Sequence, residues 1–218
     1  MRIKGVIFDF NGTLFWDTHL HNRAWDIFLD KHEIKLTDTE KNEKIHGKNN
    51  KEIMQNLFTE KLTLDHIKKY SIEKENIYQE LCLREEMVLA PGATDFLSFL
   101  KKHQIPYTIA TASDYYNVEF YFKHLQLDNY FEMSKVLYND GSFKSKPHPG
   151  IFQKAMKILN IKPHETLIFE DSISGIKAAE NSNARMIIAV NSNNGNYDTE
   201  KHQIIRNFSE VDRSFFVS

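Results

Sequence analysis

The chain has 218 residues, of which 27% are charged and 41% hydrophobic, and its formal net charge is -2. This composition is typical of a globular protein with a substantial core, and it does not indicate a nucleic acid or a membrane as a partner. The single cysteine, Cys82, excludes an intrachain disulfide, and the sequence contains neither a basic-then-apolar leader nor an apolar run long enough to span a bilayer. We therefore expect a cytoplasmic protein, a monomer, in which Cys82 is a small apolar residue of a helix.

The first predicted element is a buried strand that ends at a carboxylate. Five of the six residues from Ile3 to Phe8 are apolar and precede Asp9, and the residues that follow are typical of a turn. A charge is costly to bury without a partner, and open α/β sheets bind ligands beyond the carboxyl ends of their strands. Asp9 is therefore a candidate ligand-binding residue, although taken alone an aspartate at such a place more often only caps a turn.

Residues 16–87 show helical periodicity and no strand pattern. The apolar spacing predicts helices over 18–32, 38–45, 50–58, 64–69 and 71–86, with Thr18 as the cap of the first. We therefore predict that residues 16–87 form an α-helical domain inserted into a second domain made of residues 1–15 and 88–218. The lysines between Lys41 and Lys51 are mixed with glutamates, which favours a solvated helix face over a polyphosphate or nucleic-acid site.

From residue 88 onward, predicted strands and helices alternate. Helices are predicted over 93–103, 115–125, 149–160 and 173–182, strands over 107–111, 166–169 and 186–190, weaker strand segments at 131–133, 136–137 and 204–205, and a short helix after Ser209. This alternation favours a mostly parallel sheet with helices on both faces. We therefore predict an α/β fold with a Rossmann-like parallel sheet core and an inserted α-helical domain.

Polar residues follow the predicted strands of the sheet. Asp9, Asn11 and Thr13 follow the first strand, Thr111 and Ser113 the second, and Glu170 and Asp171 the third, while Lys146 precedes the helix at 149–160. Because the carboxyl ends of parallel strands meet at one edge, we expect these side chains to converge. The carboxylates can hold Mg²⁺, and Thr111 and Lys146 can neutralise the charge of phosphoryl oxygens. These groups together suit phosphoryl transfer to Asp9. Each residue taken separately has an ordinary structural explanation, such as a surface lysine or a helix cap.

Four short motifs, in this order, resemble those of the haloacid dehalogenase (HAD) superfamily. They are Asp9-Phe10-Asn11-Gly12-Thr13, Ala110-Thr111-Ala112-Ser113, Ser145-Lys146-Pro147 and Glu170-Asp171-Ser172. The segments His21-Asn22-Arg23-Ala24-Trp25 and His46-Gly47-Lys48 also resemble the helical cap of the branch that includes β-phosphoglucomutase and sugar-phosphate phosphatases. The resemblance covers nearly the whole chain and implies a hydrolase with a core domain and a cap domain.

The resemblance implies a role for each matching residue. Asp9 would be the nucleophile that forms an aspartyl phosphate, with Mg²⁺ as the cofactor. The ligands of Mg²⁺ would be Asp9, the main-chain carbonyl of Asn11, Glu170 and Asp171, and the groups that hold the phosphoryl oxygens would be Thr111 and Lys146. The cap would close over a small phosphorylated metabolite and exclude water. The candidate substrate contacts are His21, Gly47, Lys48 and Ser113. For His21, a structural role is an equal alternative. Trp25 is expected to lie in the core of the cap.

Asn11 departs from the pattern of the phosphatases and mutases that the chain resembles. They carry a second aspartate at this position, which protonates the leaving oxygen and later deprotonates water, whereas an amide donates a hydrogen bond but carries no proton. Asn11 would then only orient the leaving oxygen. Three explanations stay open: a phosphatase that is slow or specific for acidic leaving groups, an engineered Asp→Asn change that traps an intermediate, and a phospho-ligand sensor that has lost turnover.

Other branches of the superfamily also lack the second aspartate. Dehalogenases carry an aromatic residue there and need no metal, so the acidic pair Glu170-Asp171 argues against them. Phosphonatases carry alanine and use a cap lysine, for which Lys48 is a candidate.

A β-phosphoglucomutase holds its second phosphate with an arginine and a lysine, but Asn50 and Asp114 stand at these places. Because an aspartate repels a phosphate, we favour hydrolysis of a monophosphate over isomerisation.

Overall fold

A computed structural model of the protein describes residues 2–45, 50–58, 61–195, 197 and 200–216. The chain divides into two compact units, one formed by Met1–Trp16 together with Val88–Ser218 and the other by Asp17–Met87. We call the first the core unit and the second the helical unit. The assignment of these units as a catalytic domain and a cap stays a prediction.

The strands and helices of the described residues follow the order of the predicted elements. The strands are β1 (Gly5–Phe8), β2 (Tyr107–Ile109), β3 (Thr166–Glu170), β4 (Met186–Val190) and β5 (Gln203–Ile205). The helices are α1 (Thr18–Lys31), α2 (Asp38–Lys44), α3 (Asn50–Leu57), α4 (Leu64–Cys82), α5 (Ala93–Lys102), α6 (Tyr115–Leu125), α7 (Gly150–Ile158) and α8 (Ile173–Asn181). The helical unit therefore contains α1 to α4, and the core unit contains every strand and α5 to α8.

The core unit is built on one parallel sheet with the strand order β2-β1-β3-β4-β5. Every residue of β1 and β3 is buried, as is usual for central strands that are covered on both faces. Ile7 and Ile168 belong to one hydrophobic cluster with Phe152 of α7. Phe8 instead stacks on Phe169 at 5.1 Å on the other face. The predicted α/β fold with a parallel sheet is confirmed.

Two local predictions for the core unit are wrong. The segment 131–133 forms no strand: a single 3-10 turn covers Met133–Lys135, and Leu137 makes only an isolated bridge with Ala110. The helix expected after Ser209 is a pair of 3-10 turns, Phe208–Glu210 and Arg213–Phe215. Both segments are too short to contribute a full ladder or helix, so their apolar residues pack as loops against the core.

Two local predictions for the helical unit are wrong as well. The break expected near residue 70 is absent because α4 is continuous, and Tyr70 inside it stacks on Phe58 at 4.6 Å. The residue before α1 is Asp17, so Thr18 is not the cap. Asp17 makes no capping bond, and its buried carboxylate instead accepts a hydrogen bond from the hydroxyl of Tyr78.

The helical unit has a hydrophobic core of its own. Trp25 and Phe28 of α1 pack in one cluster with Met54 of α3 and Ile67 of α4. Cys82, the last residue of α4, is fully buried, and burial raises the pKa of its thiol to about 12. The prediction of a small apolar helix residue at Cys82 is confirmed. Among the described residues, no helix is both long enough and apolar enough to cross a membrane.

A cluster of charges joins the end of α8 to the segment before β5. Glu180 accepts hydrogen bonds from Lys201 at 2.5 Å, from His202 at 2.9 Å and from Lys177 at 3.0 Å. The bond from Lys201 is the main cause that lowers the pKa of Glu180 from an ordinary 4.5 to about 2. Because the folded protein holds the carboxylate in its charged form, this cluster stabilises the fold above the ordinary pKa and loses its effect as the pH falls towards 2.

Replacing Glu180 with glutamine is expected to remove this pH dependence. The free energy of unfolding should fall by about 1 kcal/mol or less at neutral pH, since the charges are near the surface and screened, and the parent and the variant should converge in acid. Urea unfolding across this pH range at low and high salt measures the effect. Glu132→Gln is the matched control, because Glu132 pairs with a single exposed lysine. Equal pH profiles for parent and Glu180→Gln would contradict the prediction.

Candidate active site

Three carboxylates meet at the carboxyl edge of the sheet in the core unit. Asp9 directly follows β1, Glu170 is the last residue of β3 and Asp171 is the next residue. One carboxylate oxygen from each lies within 4.8 Å of the others. The two strands are neighbours, with Phe8 opposite Phe169, and this register sets the carboxylates side by side.

Lys146 lies between two of these carboxylates. Its Nζ is 2.6 Å from Asp9 Oδ1 and 2.5 Å from Glu170 Oε1, and all three side chains are nearly buried. Burial alone would lower the pKa of Lys146, but the charges of Asp9 and Glu170 outweigh it and raise the pKa. The lysine is therefore a permanent ammonium, and it pairs with both carboxylates.

Asp171 experiences the excess negative charge of the site. Burial, followed by repulsion from Glu170 and then Asp9, raises the pKa of Asp171 well above its ordinary value. The hydrogen bond that Thr13 Oγ1 donates at 3.1 Å and the charge of Lys146 partly offset this rise. Three carboxylates share one ammonium, so a bound cation would relieve the repulsion.

Two glycines allow the carboxylates to approach the backbone. Gly12 has a φ of +76°, and a Cβ placed on it would overlap the carboxylate of Asp171. A Cβ on Gly175 of α8 would overlap the carboxylate of Glu170. That carboxylate also accepts a hydrogen bond from the main-chain N of Ser172 at 2.8 Å. The spaces filled by the two carboxylates therefore exist because positions 12 and 175 lack a side chain.

Replacing Gly175 with alanine is expected to destabilise the protein, although alanine is normally the better helix residue. The new methyl group must displace Glu170 from Lys146 and Ser172, and overpacking of this kind costs about 1–3 kcal/mol. Urea unfolding measures the change. Gly150→Ala at the start of α7 is the matched control, since the nearest neighbours of its Cβ would be the His148 ring at 3.1 Å and the Phe143 ring at 3.7 Å rather than a carboxylate. A Gly175→Ala protein as stable as the parent would show that the site tolerates a shifted Glu170.

Asn11 is surrounded by hydroxyl groups of the core unit. Its Oδ1 accepts a hydrogen bond from Ser113 Oγ at 2.7 Å and lies 3.5 Å from Thr111 Oγ1. Its Nδ2 donates to the Tyr121 hydroxyl at 2.8 Å. Tyr121 is fully buried on α6, and its ring stacks on Phe10 at 4.6 Å. Hydroxyl groups from two sides thus fix the orientation of the Asn11 amide.

The structure brings most of the predicted site residues together. They form two groups that follow the strands of the sheet. Asp9, Lys146, Glu170 and Asp171 are joined by ion pairs and neighbouring carboxylates, and Asn11, Thr111 and Ser113 are joined by hydrogen bonds. Their roles in catalysis and metal binding stay predictions. Tyr121 was not predicted, because in the sequence it is one more residue of a helical pattern.

The other predicted substrate contacts belong to the helical unit or lie outside the described residues. His21 lies in the helical unit, where its ring stacks on Tyr78 at 3.8 Å and its Nδ1 is 3.0 Å from Lys74 Nζ. The other two, Gly47 and Lys48, lie outside the described residues. A role in substrate binding stays a prediction for all three.

The two positions relevant to a second phosphate have structural partners. Asp114 caps α6 by accepting a hydrogen bond from the main-chain N of Asn117 at 3.2 Å. Asn50, at the start of α3, donates to Glu75 at 2.8 Å. The α6 N-terminus is therefore already capped by a carboxylate of the chain itself, which would repel a phosphate placed there.

Comparison with known proteins gives a consistent result. Residues 3–183 match the sequence model of the family described as haloacid dehalogenase-like hydrolase. The Phosphorylated carbohydrates phosphatase of Thermotoga maritima is 28% identical over 192 residues, which cover 86% of this chain and 85% of the relative. A crystal structure of a HAD hydrolase of family IA, variant 3, from Entamoeba histolytica has a TM-score of 0.86 and 33% identity, covering 98% of this chain and 97% of the other. The β-phosphoglucomutase of Clostridium difficile, with a TM-score of 0.79 at 24% identity over 98% and 95% of the two chains, shares the fold.

Proposed function

The chain belongs to the haloacid dehalogenase-like hydrolase family, and on this premise we propose that it is a Mg²⁺-dependent phosphohydrolase of small, sugar-phosphate-like metabolites. The observation that carries the proposal is the buried group of Asp9, Lys146, Glu170 and Asp171 at the sheet edge. The name of the Thermotoga maritima relative, a phosphatase of phosphorylated carbohydrates, supports the substrate class.

The residues at the sheet edge fit a Mg²⁺ ion. Mg²⁺ prefers oxygen ligands, and the proposed set is Asp9, Glu170, Asp171 and the main-chain carbonyl of Asn11. The fit is supported by the excess negative charge at Asp171 and by the space that Gly12 leaves for its carboxylate. When bound, the ion would neutralise charge on the phosphoryl oxygens of the substrate.

In the first proposed step, Asp9 attacks the phosphorus atom of the substrate. A bond forms between an Asp9 carboxylate oxygen and phosphorus, and the bond from phosphorus to the leaving oxygen breaks, with its electron pair staying on that oxygen. The Lys146 ammonium and the Thr111 hydroxyl hold the phosphoryl oxygens through hydrogen bonds. In the second step, a water oxygen bonds to phosphorus as the bond from phosphorus to the Asp9 oxygen breaks, which restores the Asp9 carboxylate. The proton that the water loses passes to the departing inorganic phosphate or to solvent.

Asn11 determines which leaving groups react quickly under this proposal. Its amide donates a hydrogen bond to the leaving oxygen but supplies no proton, so an alkoxide has to leave with little help. Acyl and aryl phosphates, whose leaving groups are stable as anions, should therefore react faster than sugar phosphates of the same affinity. Isomerisation is disfavoured because the Asp114 carboxylate caps α6 and would repel a second phosphate.

The test is the release of phosphate from acetyl phosphate, p-nitrophenyl phosphate and a hexose monophosphate, each with Mg²⁺ and with a chelator. We expect Mg²⁺-dependent turnover of at least the first two substrates, and its loss on chelation. Mg²⁺ binding without turnover of any substrate, by both the parent and Asn11→Asp, would contradict the hydrolase mechanism and favour a phospho-ligand sensor.

A further inference from the structure

The loop that follows β4 adjoins the acidic end of β3. Glu170 is in register with Ala189, so the two parallel strands end side by side. The Tyr197 hydroxyl donates a hydrogen bond to the main-chain carbonyl of Asp171 at 2.6 Å and lies 3.3 Å from the carbonyl of Val190. A single side chain thus ties the loop to both strand ends.

Tyr197 organises the loop as well as the strand ends. Its ring occupies the space beside Gly195, where a Cβ would lie 2.8 Å from it. Asn193 closes the turn by accepting a hydrogen bond from the main-chain N of Gly195 at 3.1 Å.

Two polar atoms of this loop are buried and have no hydrogen-bond partner in the part of the chain that the structure describes. They are Asn191 Oδ1 and Ser192 Oγ. The main-chain N of Asn191 donates to the carbonyl of Ile205 at 2.8 Å, so the sheet fixes the backbone of this residue. Buried oxygen atoms of this kind normally accept hydrogen bonds from protein donors or from ordered water.

A Mg²⁺ ion at the neighbouring carboxylates would bring such donors. Mg²⁺ prefers octahedral coordination and keeps several water molecules, which donate hydrogen bonds to the groups around them. Outer partners of this type orient the direct ligands and change metal affinity strongly when they are removed. The loop after β4 offers both kinds of group: a donor that fixes the backbone of Asp171, and acceptors that lack a partner among the described residues.

Building on the proposed Mg²⁺ site, we propose that Tyr197 is a positioning residue for Asp171 and that Asn191 and Ser192 accept hydrogen bonds from water molecules around the bound cation. Tyr197 acts only through the main-chain carbonyl of Asp171 and touches no reacting atom. The loop therefore sets the affinity for Mg²⁺ and leaves the attack by Asp9 unchanged.

The test is a calorimetric titration of MgCl₂ into the full chain in phosphate-free buffer. Tyr197→Phe is expected to weaken Mg²⁺ binding by roughly 10-fold. The matched control is Tyr107→Phe, since the Tyr107 hydroxyl also donates to a main-chain carbonyl, that of Tyr130 at 2.9 Å, but at the start of β2. At saturating Mg²⁺, the rate of phosphate release from acetyl phosphate by Tyr197→Phe should return to that of the parent, which a general loss of structure would not allow.

Variants of Asn191 test the acceptor role. Asn191→Leu should weaken Mg²⁺ binding, whereas Asn191→Ser, which keeps an uncharged acceptor oxygen, should weaken it less. If Tyr197→Phe and Asn191→Leu bind Mg²⁺ as tightly as the parent does, the inference is overturned. If Asp171→Asn loses Mg²⁺ binding in the same experiment, the proposed function still stands. A parent chain that binds no Mg²⁺ would overturn the proposed metal site itself.

Discussion

Replacing Asn11 with aspartate is expected to raise the rate of hydrolysis of a hexose monophosphate by roughly 10²- to 10⁴-fold, the usual contribution of a positioned general acid and base. The aspartate would protonate the leaving oxygen in the first step and accept a proton from water in the second. Steady-state phosphate release by the parent and the variant measures the gain.

The surroundings of Asn11 can accommodate an aspartate in place of the asparagine. The side chains are of nearly equal size, and the hydroxyls of Ser113 and Tyr121, which contact the amide at 2.7 and 2.8 Å, can both donate to a carboxylate. The fold should therefore tolerate the change, and equal melting temperatures would verify this. Tyr121→Phe in the Asn11→Asp background tests the orientation, because loss of this hydroxyl should reduce the gain.

The choice of substrate separates proton transfer from other effects. The gain in kcat/KM, which reports the first step, should be largest for a hexose phosphate and smaller for p-nitrophenyl phosphate and acetyl phosphate, whose leaving groups need little protonation. An equal gain in kcat/KM on every substrate would indicate a change in binding or metal affinity. No gain on the hexose phosphate would contradict the role assigned to position 11.

Replacing Asp9 with asparagine is expected to abolish phosphate release, with a loss of roughly 10⁴- to 10⁶-fold typical of a missing nucleophile. The amide has nearly the shape of the carboxylate but cannot attack phosphorus. Lys146 keeps its contact with Glu170 at 2.5 Å, so its charge stays paired. Phosphate release from acetyl phosphate with Mg²⁺ measures the loss.

The stability of Asp9→Asn serves as its control. Asp9 is one of the charges that raise the pKa of Asp171, so its removal relieves repulsion at the site. In the absence of Mg²⁺, the variant should therefore be at least as stable as the parent in urea. A folded Asp9→Asn protein whose rate is within about tenfold of the parent rate would show that another group is the nucleophile. Such a loss is smaller than the loss that normally follows removal of a general acid or base.

Local sequence patterns predicted the elements that position the site. The apolar run 186–190 is β4 and the helical pattern 115–125 is α6, because both depend on burial of nearby residues with a simple period. Parallel topology then explains why Asp9, Glu170 and Asp171 lie within 4.8 Å of one another, since they follow neighbouring strands. The order of the motifs was thus enough to anticipate this group.

Contacts between distant residues could not be predicted in the same way. Tyr121 is 110 positions from the Asn11 amide that it contacts, and within α6 it is one of many aromatic residues. Tyr197 stands in an asparagine-rich loop, where no periodicity indicates its bond to Asp171. The continuity of α4 at Tyr70 likewise depends on packing against Phe58, which lies outside that helix. Tertiary packing decided each of these cases.

The most direct test of the central claim is the intact mass of the protein after reaction with acetyl phosphate and Mg²⁺, followed by an acid quench and peptide mapping. Because Asn11 cannot activate water, the phosphorylated form should accumulate, and the mass of one phosphoryl group should appear on the peptide that contains Asp9. Asp9→Asn should stay unmodified. Phosphorylation at another residue, or phosphate release that leaves Asp9 unmodified in the parent under single-turnover conditions, would contradict an aspartyl-phosphate mechanism at this site.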